Sequence, residues 1–323
     1  MLYKLRILPG YRPKCKVISV GNITMGGTGK TPLVEWVVKF LVKNNKRPGI
    51  IIRGYGRPKH KNPDSGRNKG SYLESGDEAS MLKETLGGIN ISVGRDKIKS
   101  ARELERLNCN PLVLDDGFQH WRLRRDLDIV AIDCSNPIFD QKLIPLGRLR
   151  EPISSLKRAH VFVLTKTDLS QGAFHMRTRL REINSEATIV SSVYKPVCFH
   201  DLKTDECFST DSPSFKGIPI LILSGIANPV YFDKMLSSLR LSIKRELVFP
   251  DHYEYKRRDI ESIKSLAGEM RTNRIITTHK DAVRLKRFLK FMNKIEIFYL
   301  EIELEITKGE EEFRNRILSV SNS

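Results

Sequence analysis

Nowhere in the 323 residues does an apolar run approach the ~18 residues a bilayer-spanning helix needs, and no charged start, apolar middle and small-residue cleavage site is present. An integral membrane protein is therefore not expected. Cysteine is scarce. Cys15, Cys109, Cys134, Cys198 and Cys207 are odd in number, scattered and without a CxxC pair, which argues for reduced thiols in a cytosolic compartment rather than a disulfide frame or a zinc site. Acid is short relative to base, with 38 Asp and Glu against 56 Lys and Arg and a net charge of +18. Such a surface favours anionic partners: nucleic acid, acidic lipid or a phosphorylated substrate. Basic stretches interleaved with aromatics for stacking single strands are missing, so nucleic acid is not the expected partner. What remains is a chain with 40% hydrophobic residues, long enough for two cored α/β domains.

The chain is organised around Gly21 to Leu41, GNITMGGTGKTPLVEWVVKFL, which follows the apolar run Val17 to Val20. The run reads as a buried strand, Gly26, Gly27 and Gly29 as a tight loop, and Thr31 onward as an amphipathic helix with Pro32 in its first turn. Backbone N–H groups and the helix dipole then converge on a bound anion, and Lys30 adds a point charge. Thr24, Met25, Gly26, Gly27, Thr28, Gly29, Lys30 and Thr31 are the expected nucleotide contacts, with the Thr31 hydroxyl on magnesium. Thr24 stands where the strict P-loop pattern has its first glycine.

Downstream, Arg47 to Ile52, the NISV run from Asn90, two runs within Pro111 to Asp133 and the run within Ala159 to Asp168 alternate with helical stretches, the signature of a mostly parallel sheet covered on both faces. The stretch 53–72 is basic, polar and rich in Gly and Pro, and reads as a long exposed loop. Residues 185–206 read as a pair of extended segments, and a second α/β series starts at Ile218. The expected architecture is a P-loop NTPase-like core over 1–175, linker segments over 176–210, and a smaller α/β domain over 211–323.

A kinase needs a nucleotide cradle, a metal site, a base for the acceptor hydroxyl and a means of holding the acceptor. LVLDDGF puts Asp115 and Asp116 at the end of an apolar strand, where a Walker B acid reaches the metal, although DDG is also ordinary turn chemistry. Asp77 and Glu78 sit at a helix start, where an Asp is as readily a cap. His252 follows Pro250 and Asp251 after a strand, and could orient or relay a base or simply be structural. Arg148, Arg150 and Glu151 share one loop, suited to phosphate binding or to a charged surface. TKTD, Thr165 to Asp168, resembles the guanine-reading box of GTPases without its Asn, so a P-loop GTPase or metallochaperone-like NTPase is the alternative.

Taken in order, GNITMGGTGKTP, RGYGR at 53–57, GDEA at 76–79, LDDGFQH at 114–120, GRLREP at 147–152, SGIANP at 224–229, FPDHY at 249–253 and THKDAVRL at 278–285 resemble the tetraacyldisaccharide 4'-kinase family, LpxK, over most of the chain. The resemblance implies ATP- and magnesium-dependent phosphorylation of the 4'-hydroxyl of an acylated glucosamine disaccharide 1-phosphate at the cytoplasmic face of the bacterial inner membrane. It implies two α/β/α lobes joined by a short two-stranded linker, with the P-loop in the first; a monomer is expected. Lys30 and Thr31 match the family's P-loop pair, Asp77 and His252 its catalytic dyad, and Asp115 and Asp116 its acidic pair near magnesium. Glu151 is added as a metal candidate, and Arg53, Tyr55, Glu78, Arg95, Gln119, His120, Arg148 and Arg150 as substrate contacts. Because Asp77 precedes the hinge and His252 follows it, closure on binding is expected. Two departures stand out. Only sixteen residues precede the first strand, where the family usually has a longer hydrophobic helix, so attachment through the basic leader and loop 53–72 is expected; and His279 stands where an acid is expected.

Overall fold

The computed structural model describes residues 10–53, 77–169 and 172–322. Tyr55, the rest of the 54–72 loop and the first nine residues of the leader lie outside the described residues, as does the Asp77 side chain. The chain divides into two compact units, Met1–Tyr194 with Leu304–Ser323, and Lys195–Glu303.

In the first unit the strands are β1 (Val17–Gly21), β2 (Gly49–Ile52), β3 (Asn90–Val93), β4 (Leu112–Asp115), β5 (Leu127–Asp133), β6 (Val161–Thr165) and the start of β7 (Thr188–Asp201). They run in the order β7-β6-β5-β1-β4-β2-β3, every adjacent pair parallel. β1, β2, β4, β5 and β6 are buried along their whole length, which is why they read as unbroken apolar runs rather than as alternating patterns. Helices α1 (Lys30–Lys43), α2 (Asp77–Thr85), α3 (Lys97–Arg106) and α4 (Ala173–Ile183) fall between the strands. α1 buries Leu33, Val34, Val37, Val38, Phe40 and Leu41, the spacing of one helical face.

The sheet order places the chemistry. From β1 the chain moves outward to β2 and β3, returns to β4 beside β1, then crosses to β5 on the other side. A switch of that kind opens a crevice at the carboxyl ends of the strands. The register pairs Val20 of β1 with Asp115 of β4, so the glycine loop and the acidic turn leave the sheet side by side. Gly21 is required there: a Cβ would lie 2.7 Å from the Phe118 Cβ and 2.9 Å from its backbone nitrogen.

The second unit holds β8 (Cys207–Ser209), β9 (Pro219–Ser224), β10 (Ser242–Val248), β11 (Arg274–Thr278) and most of β12 (Glu296–Lys308), with α5 (Pro229–Ser238), α6 (Arg257–Glu269) and α7 (His279–Leu285). β10, β9, β11 and β12 are neighbours in that order, and β8 pairs antiparallel with β7. Its core gathers Leu221, Leu223, Tyr255, Ile260, Ile275, Leu285 and Ile297.

The division falls inside β7, between Tyr194 and Lys195, within the 176–210 stretch read as linker, and β7, a single 14-residue strand, pairs antiparallel with β8. The last 20 residues belong to the first unit, since α8 (Glu310–Ser321) buries Phe313 and Ile317 and stacks Phe313 on Trp36 of α1 at 5.0 Å. Propensity along the chain does not reveal that return, because it depends on which apolar face α1 leaves open.

Candidate active site

The loop between β1 and α1 ends at Gly29, whose φ of 81° is left-handed and whose position is closed by Tyr194. Lys30 opens α1, and its Nζ lies 3.7 Å from Asp116 Oδ1. Asp116, at φ 51°, makes the turn after β4, and Arg150 donates two hydrogen bonds to its carboxylate, Nη1 to Oδ2 at 2.8 Å and Nη2 to Oδ1 at 2.7 Å. This forked geometry is one a lysine could not supply.

Asn22 ties these parts together. Its amide donates to Thr28 Oγ1 at 2.7 Å, its carbonyl accepts from Gln119 Nε2 at 2.8 Å and from Arg150 Nη2 at 3.0 Å, and its side-chain oxygen also meets Arg150. The backbone of 148–150 runs antiparallel beside the cradle: Met25 N donates to Arg148 O at 2.8 Å, Arg150 N to Ile23 O at 2.7 Å, and the Arg148 guanidinium to Met25 O at 3.0 Å. Arg148 and Arg150 thus belong to the P-loop's own surroundings.

Lys97, the first residue of α3, is buried and donates from Nζ to the carbonyls of Asp115 and Asp116 at 2.8 and 2.9 Å. Burial brings its ammonium down to about 8. It fixes the acidic turn from beneath. Burial and the nearby Glu78 push the Asp115 carboxyl up from the usual carboxylate range, and its Oδ1 has no hydrogen-bond partner among the described residues. For Asp116, burial also pushes upward but the Arg150 hydrogen bonds and the Lys30 charge prevail, holding it at about 2. Two adjacent carboxylates therefore differ sharply in readiness to ionise, a pattern common where charge is handled.

Glu151, expected beside these acids, instead pairs with Arg158 at 2.8 Å, and that guanidinium lies over the rings of Phe118 and Trp121. Arg95 is exposed at the end of β3, and Arg53 lies at the end of β2, near enough to Lys97 to lower its pKa. His120 is held neutral: burial, with Lys97 and Arg125 adding positive charge, lowers it from 6.5 to about 4. The native state thus refuses a proton that the unfolded chain accepts, so this residue's contribution to stability is whole above pH 6.5 and is lost as pH falls toward 4. His120→Gln is expected to flatten the fall of the thermal midpoint between pH 6.5 and 4; an unchanged slope would refute the assignment.

Several contributors escaped the sequence reading. Thr165 Oγ1 donates to Thr28 O at 3.2 Å, and Lys166 Nζ bonds Asp133 Oδ2 at 2.5 Å and the Gly27 carbonyl at 3.4 Å. TKTD is therefore a support under the phosphate loop. Asn22, Asp133 and Thr165 all sit at or just beyond the carboxyl ends of β1, β5 and β6, and that placement was the signal that could have found them.

In the second unit, two of the sequence boxes, SGIANP and THKDAVRL, and Tyr255 just beyond FPDHY meet on Asp281, which is fully buried. Its carboxylate accepts from Gly225 N at 2.8 Å, Thr278 Oγ1 at 2.7 Å, Tyr255 Oη at 3.1 Å and Arg284 Nη1 at 3.2 Å. The turn carrying His252 is held at both ends, by Phe249 N to Ser224 O at 2.7 Å and by Tyr255 on Asp281. His252 itself has φ 60°, and Lys280 Nζ is 3.2 Å from both its Nε2 and Asp251 Oδ1. His279 stacks on Tyr299 at 4.5 Å, a packing role. Asp77 is the first residue of α2.

The chain matches the family described as LpxK, Tetraacyldisaccharide-1-P 4'-kinase, over residues 1–322. The tetraacyldisaccharide 4'-kinase of Halothermothrix orenii is 36% identical over 330 residues, covering 95% of this chain and 84% of that protein. That of Syntrophobacter fumaroxidans is 34% identical over 318 residues, covering 97% and 80%. A crystal structure of LpxK from Aquifex aeolicus in complex with ATP aligns with a TM-score of 0.73 at 27% identity, covering 99% of this chain and 93% of that one. This chain belongs to the tetraacyldisaccharide 4'-kinase family.

Proposed function

We propose that the chain transfers the γ-phosphoryl group of ATP to the 4'-hydroxyl of tetraacyldisaccharide 1-phosphate, a lipid A precursor, giving the 1,4'-bisphosphate and ADP. The observation that carries this reading is the constellation of Lys30, Asp116, Arg150 and Asn22 around the glycine loop, in a chain of this family. Lys30, the loop N–H groups and the N-terminus of α1 receive the phosphates. Arg150 keeps Asp116 ionised and aimed, and Lys97 fixes the turn that presents both acids. The Asp115 oxygen without a hydrogen-bond partner among the described residues fits a divalent cation, so Thr31, Asp115 and Asp116 are the residues that would hold magnesium. When bound, magnesium offsets the negative charge on the transferring phosphoryl oxygens. Glu151, already paired with Arg158, would join that set only by releasing its partner.

In the transfer itself the 4'-oxygen bonds to the γ-phosphorus, the bond to the bridging oxygen of ADP breaks, and Asp77 takes the hydroxyl proton with His252 positioning it. Arg53, Tyr55, Glu78, Arg95, Gln119, His120 and Arg148 are proposed to hold the acceptor. A peripheral site on an anionic bilayer, at the cytoplasmic face, accords with the +18 charge and with a tight loop beside the cradle. There Leu146 is 82% exposed and Met25 55%, with Leu143 and Ile144 also exposed. Apolar side chains among bases suit an interface. Among the described residues no helix is long and apolar enough to cross a membrane.

The test is transfer of labelled γ-phosphate to tetraacyldisaccharide 1-phosphate in mixed micelles. Wild type should transfer, and folded Asp77→Ala and His252→Ala should each lose about 10²–10⁴-fold in kcat, the range for general acid–base groups. Full activity in both variants would keep the kinase and remove the dyad; no transfer by ATP-binding wild type, or a preference for GTP, would overturn the kinase reading.

A further inference from the structure

Cys198 and His200 lie two residues apart on β7, so strand alternation puts both on one face. The chain then turns into β8, and the antiparallel register pairs His200 with Cys207 and Cys198 with Ser209. Directly paired residues share a face, so Cys207 joins the other two. β12 adds Glu301 from the neighbouring position, where Leu202 N donates to Ile297 O at 2.8 Å. A hairpin register, which a CxxC search cannot see, assembles four metal-ligating side chains within the second unit.

The distances suit a cation. One ligand atom each of Cys198, His200 and Cys207 all lie within 4.8 Å of one another. Cys198 Sγ is 3.2 Å from His200 Nε2 and 3.4 Å from Glu301 Oε2, and His200 Nε2 is 2.7 Å from Glu301 Oε2. Tetrahedral sites with bonds of ~2.0–2.3 Å place their ligand atoms ~3.3–3.8 Å apart, so closure needs shifts of a few tenths of an ångström to about one. The imidazole is already oriented, stacked on Tyr299 at 4.8 Å with Nε2 toward the cluster. Two thiols, an imidazole and a carboxylate form a soft to borderline set that selects zinc-like ions over magnesium or calcium.

We propose that Cys198, His200, Cys207 and Glu301 form a structural site for a zinc-class divalent cation that fastens the β7–β8 hairpin to β12. Binding releases the two thiol protons to solvent and leaves the imidazole proton on Nδ1, freeing Nε2 to ligate. Sheet pairing brings Cys198 and Cys207 together although the two are separated in sequence and form no CxxC pair.

The full-length protein, reduced and treated with chelator, would be titrated anaerobically with Co²⁺ and then Zn²⁺. One equivalent of Co²⁺ should produce a thiolate-to-cobalt charge-transfer band and tetrahedral ligand-field bands that Zn²⁺ bleaches, and one equivalent of Zn²⁺ should raise the thermal midpoint. Cys198→Ser and Cys207→Ser should each lose most of the charge-transfer intensity, while Cys15→Ser, in the first unit, keeps it. Retained ATP binding confirms the variants' fold. Absence of the band in wild type, an undiminished band in the two variants, or recovery of a Cys198–Cys207 disulfide in place of bound metal would overturn the proposal.

Discussion

Replacing Gly29 with alanine should reduce phosphoryl transfer by on the order of 10²–10³-fold, the loss typical when one preorganised electrostatic contact fails. The residue sits at φ 81°, where a side chain is strained, and its Cβ would fall 1.5 Å from Tyr194 Oη and 2.8 Å from Cζ. Tyr194 lies at the end of the first unit's part of β7 and is 8% exposed, so its ring has little room to retreat. The loop must move instead. Lys30 is the next residue, and the Lys30–Asp116 spacing of 3.7 Å depends on the helix starting where it does. ATP affinity should fall with the rate, since the loop N–H groups that would receive the phosphates are displaced together. Steady-state kinetics and nucleotide titration on folded protein check this; a variant within threefold of wild type would show that the loop is not the phosphate site. Gly29→Ala combined with Tyr194→Phe should recover part of the loss, because one of the two causes, the hydroxyl, is removed while the backbone strain stays.

Asp281→Ala should lower unfolding free energy by about 3–5 kcal/mol, the cost of stranding a buried charge by removing its partner. Arg284, 8% exposed, loses its ion pair, and the Gly225 amide and the buried Tyr255 and Thr278 hydroxyls lose an acceptor. Asp281→Asn keeps oxygen and shape but not charge and should fall between the two. Activity should drop alongside stability, since Tyr255 on Asp281 holds one end of the turn that carries His252. Denaturant titration of both variants measures the first effect and the micelle assay the second. A loss below 1 kcal/mol in the alanine variant would show that the cluster is not the keystone of the second unit.

Much of the site was legible before any coordinates. GGTGKT after an apolar run announces its own geometry, because the same residues that permit the turn also create the anion site, and LDD at the end of a second apolar run announces its partner. The family resemblance extended this to Arg150 and to the boxes of the second unit. Other residues stayed hidden for a common reason. Lys97, Asn22, Thr165 and Lys166 act through backbone carbonyls and amides that only strand order brings near, and a lysine or threonine beside a strand carries no local mark of that duty.

The sequence by itself determined the parallel strands, the glycine loop and the identity of the charged groups, since these follow from burial on both faces, from backbone freedom and from side-chain chemistry along a continuous stretch. Tertiary structure alone decided which charges meet: that Arg150 grips Asp116 while Glu151 goes to Arg158, that the last helix returns to Trp36, and that Cys198, His200 and Cys207 share one face. Those outcomes depend on register and crossover. Register moves a side chain by a whole face for each residue of slip, and no single segment contains the information that fixes its partner.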